Sequence, residues 1–350
     1  MTSLYVFLEN LSDENRDEFF VQLAKVALKQ YSIGESKPVF LQHNSGITYR
    51  IDSLDRGSCF LLKIHEPVGT GPKASFEHIQ ARMEWLEKLA QTSSLVVQVP
   101  IMNIDGMFVT KIPVSETGET VLATLQNWIE GEYPDGDFTI AQAESVGEMI
   151  ATLHQTSSQW RASRITDLGE NQAGDLLQDV EQLHTMVDAN IISSTQYLAI
   201  EQASQRISQI TSLLGTDPEV YGPIHGDLHQ GNVLFFENKV CPIDFDGLRN
   251  SYYLFDLGTA LYHILYQNVE FRNAMVDGYS SIRPMSDTER QYLEAFVTWS
   301  AINNLAFQST IPQQVKSKFF VRNIHQLADE FCPKVIANEP FVLVEIEDES

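Results

Sequence analysis

At 350 residues, with 43% apolar and 20% charged side chains, the chain has the composition of a globular protein long enough for two domains, not of a disordered or fibrous one. Its formal net charge of −24 opposes nucleic acid and anionic membrane surfaces, and favours a cationic small-molecule partner. No apolar run reaches the roughly 18–20 residues that span a bilayer, the N-terminus lacks a basic start, and Cys59, Cys241 and Cys332 form no Cys-x-x-Cys pair, so a cytoplasmic chain with reduced thiols is expected.

In chain order, residues 14–30 carry Phe19, Phe20, Leu23, Val26 and Ala27 at helical spacing. Three strand signals follow at 38–42, 47–51 and 59–64, with turns at Asn44-Ser45-Gly46 and Leu54-Asp55-Arg56-Gly57. The third strand carries one basic residue, Lys63. A Gly/Pro-rich loop at 67–72 precedes a helix over about 74–90, striped by Phe76, Ile79, Met83, Leu86 and Ala90. Two more strands are predicted near 107–112 and 120–129. Beyond them the pattern turns helical, at 138–155, 172–190, 195–214 and again from 256 to about 333. A mostly β first part and a mostly helical second part containing one hairpin predict a segregated α+β architecture. The predicted divisions are an N-terminal lobe at 1–126, a hinge at 127–131, a C-terminal lobe at 132–340 and an acidic tail at 341–350.

The most informative stretch is His225-Gly-Asp-Leu-His-Gln-Gly-Asn232, followed by Ile243-Asp244-Phe245-Asp246. Val233–Phe236 and Val240–Ile243 read as two strands joined by a three-residue turn at 237–239. That register pairs 236 with 240 and 233 with 243; one more step sets Asn232 opposite Asp244. Opposed residues on an antiparallel ladder lie roughly 4.5–5.5 Å apart, so the two side chains could share one cation, and their hard oxygens suit Mg²⁺. Asp227, in a Gly-containing loop, could orient and deprotonate an acceptor hydroxyl. Lys63 could meet nucleotide phosphates, unless it is only a solvent-facing strand residue.

These motifs resemble the aminoglycoside phosphotransferase and choline kinase-like family, relatives of the protein kinases. The octapeptide matches that family's catalytic loop. Ile243–Asp246 matches its metal-binding segment, and Leu254-Phe-Asp256-Leu257 matches the Asp-Leu that follows. Trp128–Gly131 resembles the hinge, and Gly147–His154 the Leu-His helix after it. The resemblance implies a bilobal protein-kinase-like fold, with a small antiparallel-sheet lobe bearing one main helix and a larger helical lobe. It implies a phosphotransferase with an alcohol acceptor, using ATP (GTP the alternative) and Mg²⁺. Asp227 would be catalytic, and Asn232 and Asp244 metal ligands. Lys63 and the backbone of Trp128, Ile129 and Glu130 would meet the nucleotide. His225, His229, Asp246 and Asp256 would support the site, with Asp246 in reach of a second metal.

Two departures stand out. Alignment on Trp85-Leu86 puts Arg82 where kinases carry the Glu that pairs with the strand Lys. The segment Asn44–Ile47 is also far short of a Gly-rich phosphate loop. A catalytically weak or inactive nucleotide-binding module is therefore one alternative. Another is a metal-dependent hydrolase using His225, Asp227 and His229 with Asp244 and Asp256. The expected acceptor is a small hydroxylated molecule, an amino sugar or amino alcohol. Trp160, Tyr252, Tyr253 and Trp299 could cage its amine, although helix packing is their expected role. No nucleic acid or membrane partner is expected, and no feature specifies an oligomeric state.

Overall fold

A computed structural model describes residues 4–43, 46–54, 57–65, 75–160, 165–169, 173–237 and 239–344. The chain divides into two compact units, Met1–Glu130 with Ser163–Gly169, and Gly131–Ala162 with Glu170–Ser350. The turns expected at 44–46 and 54–57 lie partly outside the described residues, and the loop at 67–72 wholly so.

The first unit runs α1 (Leu4–Glu9), α2 (Asp13–Leu28), β1 (Ser36–His43), β2 (Gly46–Ser53), β3 (Cys59–His65), α3 (Phe76–Thr92), β4 (Pro100–Ile101), β5 (Val109–Pro113) and β6 (Thr120–Asn127). The antiparallel sheet is ordered β1-β2-β3-β6-β4, with β5 also paired to β6. Ser12 starts α2 by accepting the Asn15 N–H, which satisfies one of the helix's orphan donors. The buried face of α2 is Phe20, Leu23, Ala24, Ala27 and Leu28. Val26, expected on that face, is exposed. This face joins Tyr49, Ile51, Leu62, Ile64 and Leu125 in one core. Ser75 caps α3, and His78 Nδ1–H donates to the Asp167 carbonyl at 2.9 Å, tying 165–169 to this unit.

The second unit contains α4 (Ile140–Gln159), α5 (Ala173–Asp188), α6 (Ser194–Leu214), β7 (Tyr221–Ile224), β8 (Val233–Phe236), β9 (Lys239–Pro242) and β10 (Arg249–Tyr252). Then come α7 (Tyr253–His263), α8 (Val269–Ile282), α9 (Asp287–Ser309), α10 (Pro312–Val315), α11 (Lys318–Gln326) and α12 (Cys332–Ala337). Capping boxes at Thr139/Gln142, Ser193/Gln196 and Ser286/Glu289 fix the starts of α4, α6 and α9. β7 pairs with β10 and β8 with β9, so this unit holds one ladder more than the sequence indicated.

The β8–β9 register differs from the expected one by a residue. Val233 faces Pro242 and Phe236 faces Lys239, leaving a two-residue connection. Glu237 adopts the left-handed conformation (φ 48°) that such tight hairpins favour. Asn232 is therefore not opposite Asp244; its carbonyl takes the Ile243 N–H at 3.0 Å.

The start of the expected tail is also corrected. Phe341 and Val342 are buried, with Phe341 stacked on Phe331. Buried Arg272 on α8 donates to the carbonyls of Val342 and Val344, both at 2.7 Å. Residues 345–350 lie outside the described residues.

The α4–α8 crossing rests on two glycines. A Cβ at Gly147 would sit 1.9 Å from the Met275 carbonyl oxygen, and one at Gly278 would sit 2.1 Å from that of Glu144. Backbone meets backbone here, so neither position tolerates a side chain without parting the helices. Gly278→Ala is expected to lower stability by roughly 1–3 kcal/mol, the usual range for overpacking. In chemical denaturation the midpoint falls while the slope is unchanged; an unchanged midpoint would contradict this packing.

Candidate active site

The octapeptide lies between β7 and β8, where the backbone is neither strand nor long helix, so its N–H groups need other partners. Asp256, on the first turn of α7, supplies two of them. Its Oδ2 accepts from His225 N and its Oδ1 from Gly226 N, both at 2.7 Å. Gly226 has φ +81°, and a Cβ there would lie 2.2 Å from the Gly247 carbonyl oxygen. Only glycine combines that conformation with that approach. Arg249 Nη1–H donates to the same Gly247 oxygen at 3.3 Å, with its guanidinium over the Phe255 ring.

Asp256 is completely buried, and so is His154 of α4, whose Nε2 lies 3.2 Å from Asp256 Oδ2. Burial pushes the Asp256 pKa up, but the His154 hydrogen bond, the nearby imidazoles and the Gly226 N–H outweigh it, and the net shift is downward. Burial lowers the His154 pKa, which keeps the ring neutral. Its single proton must then lie on Nε2, because a carboxylate can only accept.

His225 is buried as well. Its Nε2–H donates to the Ile243 carbonyl at 3.0 Å and its ring lies against Phe245, so it links the loop to the segment after β9. Asp227 itself is open to solvent, with a side chain 55% exposed. Enough protein still surrounds the carboxyl to raise its pKa by desolvation. The charge of Asp244 adds to that rise, while His229, His225 and the Asn232 hydrogen bond oppose it.

Asn232 is buried and donates through Nδ2 to the Asp227 carbonyl at 2.8 Å and to Asp227 Oδ2 at 3.2 Å. Its Oδ1 makes no hydrogen bond among the described residues. Asp244 is half-buried and left-handed (φ 58°), which turns it out of the β9 line. Asn232 Oδ1 and the Asp244 carboxylate are hard oxygen donors that fit a divalent cation. Asp246 follows on a 3₁₀ turn, Phe245–Gly247. His229 Nδ1 accepts from Gly231 N, and its Nε2 stands 3.8 Å from Asp227 Oδ2.

His225 and Asp256 are thus spent on backbone groups, and His229 on its own turn. Among the described residues, no three His, Cys, Asp or Glu side chains are grouped as a metal site. The aromatic residues considered for an amine cage are buried in packing. Tyr252 donates to the Thr211 carbonyl, Tyr253 to that of Pro218, and Trp299 packs on Phe255 and Phe296.

The remaining candidates belong to the first unit. Lys63 is buried, in register with Thr48 and Thr124, so it is not a solvent-facing strand residue. A Cβ at Gly46 would sit 2.8 Å from the Ile64 carbonyl oxygen and 3.2 Å from Lys63 Cε, so the strand packs closely beside the lysine stem here. Arg82 is buried on α3; nearby Gln80 donates to Glu84 and accepts from Phe108 N and Val109 N, pinning α3 to the sheet. Trp128 donates its backbone N–H to the Cys59 carbonyl, and its ring lies under the Arg50 guanidinium. Ile129 is buried and Glu130 exposed.

The sequence profile of the phosphotransferase enzyme family matches residues 40–294, most of the chain. The chain belongs to this family. It is a phosphotransferase with an alcohol group as acceptor, a small-molecule kinase of protein-kinase-like fold. It is 21% identical to the amicoumacin kinase of Bacillus subtilis (strain 168) over 248 residues, which are 71% of this chain and 69% of the relative. Two solved structures share its fold. The microcompartment-associated aminopropanol kinase has a TM-score of 0.73 at 21% identity, covering 93% of this chain and 100% of its own. The amicoumacin kinase hAmiN, in complex with AMP-PNP, Ca²⁺ and Ami, also has a TM-score of 0.73, at 19% identity, covering 95% of this chain and 98% of its own. No helix among the described residues is long and apolar enough to cross a membrane.

Two contacts are not anticipated by the sequence pattern: the Tyr279 hydroxyl of α8, 3.0 Å from His154 Nδ1, and the Arg249 hydrogen bond to Gly247. The signal that could have found the first is the pair of glycines, Gly147 and Gly278, that lets α8 approach α4.

The raised pKa of Asp227 carries a stability consequence. Its folded-state value lies above the unfolded one, so the folded chain holds this proton more tightly, and stability falls as pH rises through that window. In metal-free buffer Asp227→Asn, which removes the charge, is expected to melt no lower than the wild type at neutral pH. Any gain should vanish below the ordinary carboxylate range. A neutral-pH melting temperature clearly below the wild type would contradict the desolvated carboxylate.

Proposed function

We propose that this kinase moves the γ-phosphoryl group of ATP, with GTP the alternative donor, onto the hydroxyl of a small amino alcohol or amino sugar. The observation that carries the reading is the Asp227–Asn232 pair, set on a loop whose backbone is held by Asp256. The acidic charge supports a cationic acceptor, and the fold relative named as an aminopropanol kinase points the same way.

In this reading Asp227 accepts a hydrogen bond from the acceptor hydroxyl and aligns its oxygen for in-line attack. The oxygen–phosphorus bond forms as the bond from the γ-phosphorus to the bridging oxygen breaks. The hydroxyl proton passes to the Asp227 carboxylate, and the nucleoside diphosphate leaves. A raised pKa makes that carboxylate a better proton acceptor. Asn232 Oδ1 and Asp244 would hold Mg²⁺, which would supply charge neutralisation at the phosphates. Lys63 steadies the α- and β-phosphates, and the backbone of Trp128, Ile129 and Glu130 takes the base. His225, His229 and Asp246 support these groups. Most of the catalysis is positioning and charge neutralisation.

A panel of amino alcohols and amino sugars, assayed with Mg-ATP for acceptor-dependent ADP release, tests the proposal. At least one acceptor should stimulate release, and Asp227→Asn should reduce that rate by about 10²–10⁴, the usual worth of a positioned base. Full activity in Asp227→Asn would remove Asp227 from its role. No stimulation by any acceptor would favour an inactive binding module.

A further inference from the structure

One buried polar group is unaccounted for by this mechanism. Neutral His154 gives its Nε2 proton to Asp256, which leaves a lone pair on Nδ1 in a fully buried ring. An unsatisfied acceptor there would be costly. The Tyr279 hydroxyl of α8, 125 residues away in sequence, lies 3.0 Å from that nitrogen. Burial pushes the Tyr279 pKa upward, so the phenol keeps its proton and donates. The chain of donors therefore runs one way: Tyr279 O–H to His154 Nδ1, His154 Nε2–H to Asp256, and Asp256 accepting the catalytic-loop N–H groups.

The surroundings leave His154 little other freedom. Tyr253 stacks on its ring at 4.7 Å and 27°, and Tyr279 meets it edge-on at 5.7 Å. The charged and titratable groups facing it are Asp256 and Tyr253 from α7, Tyr279 from α8, and Arg283 just beyond α8. Asp256 draws a second proton toward His154, while burial and Arg283 oppose it. A proton on Nδ1 would create an imidazolium against the carboxylate and weaken its hold on the loop. The Tyr279 hydrogen bond occupies the site where that proton would go.

We propose that Tyr279 is a positioning residue for phosphoryl transfer. It holds His154 in the neutral Nε2–H form, and so keeps the full Asp256 charge on the N–H groups of His225 and Gly226. The Gly147–Gly278 crossing is what brings α8 close enough to α4 for this contact. The inference rests on the kinase reading for its effect on rate, but not for its effect on His154.

Tyr279→Phe removes one oxygen and leaves the packing. In ¹⁵N-histidine NMR of the protein without substrates, wild-type His154 should stay neutral through the pH range where ordinary histidines charge. In the variant it should charge at higher pH or lose the pure Nε2–H tautomer. Amide exchange at His225 and Gly226 should accelerate. With an acceptor from the panel, kcat should fall about 5- to 10-fold, the size of one lost hydrogen bond, with KM for nucleotide and acceptor unchanged. His154→Gln supplies a permanently neutral N–H to Asp256. In that background Tyr279→Phe should cost nothing further.

An unchanged His154 tautomer and titration in Tyr279→Phe would overturn the proposal. So would an equal fold-loss in the wild-type and His154→Gln backgrounds. Absence of transfer in the wild type would defeat the kinase reading alone, and the NMR comparison would still decide the role of Tyr279.

Discussion

The site depends on one buried carboxylate. Asp256 accepts from two consecutive backbone N–H groups and from His154, at distances from 2.7 to 3.2 Å. A bare charge at that depth would be prohibitive, and these donors are what allow it to stay ionised. In return it fixes a stretch of backbone that no sheet or helix could fix. His225 and Gly226 lie immediately before Asp227, so the geometry of the proposed base follows from the two residues that Asp256 holds. Gly226 then meets Gly247, and His225 meets Ile243, so the loop and the segment bearing Asp244 are braced against each other.

The charges at the site fall into two kinds. Asp256 is buried, saturated with donors and shifted toward ionisation. Asp227 is exposed, lightly bonded and shifted the other way, with Asp244 nearby. The first is a fixed scaffold charge; the second is free to take a proton. Pairs of carboxyl groups whose environments push their pKa values apart commonly divide structural and chemical roles in this way. Asn232 joins the two halves of the loop, because one amide nitrogen reaches both the backbone and the side chain of Asp227.

Much of this was legible in the sequence, but not always for the right reason. The octapeptide, Lys63 in mid-strand and the change from strands to helices follow from spacing and residue type. Asn232 does not face Asp244, as a three-residue turn would require, because the connection holds two residues and shifts the register by one. What turns Asp244 instead is a left-handed backbone, and nothing in a run of Pro-Ile-Asp-Phe encodes that angle. An acidic tail is expected from residue 341 onward, yet Arg272 anchors Val342 and Val344 through their carbonyls. Backbone recognition of this sort leaves no mark on side-chain pattern. The His154–Tyr279 contact was hidden for a different reason: it joins helices far apart in sequence, through two glycines whose importance shows only when the helices cross.

The central claim, transfer to a hydroxyl, is tested most directly by ³¹P NMR of the protein incubated with Mg-ATP and an excess of an amino alcohol. A new phosphomonoester signal should grow in step with ADP, with little inorganic phosphate. Inorganic phosphate as the sole new phosphorus product would mark a hydrolase, and an unchanged ATP spectrum across acceptors would mark an inactive module; either result would contradict the account.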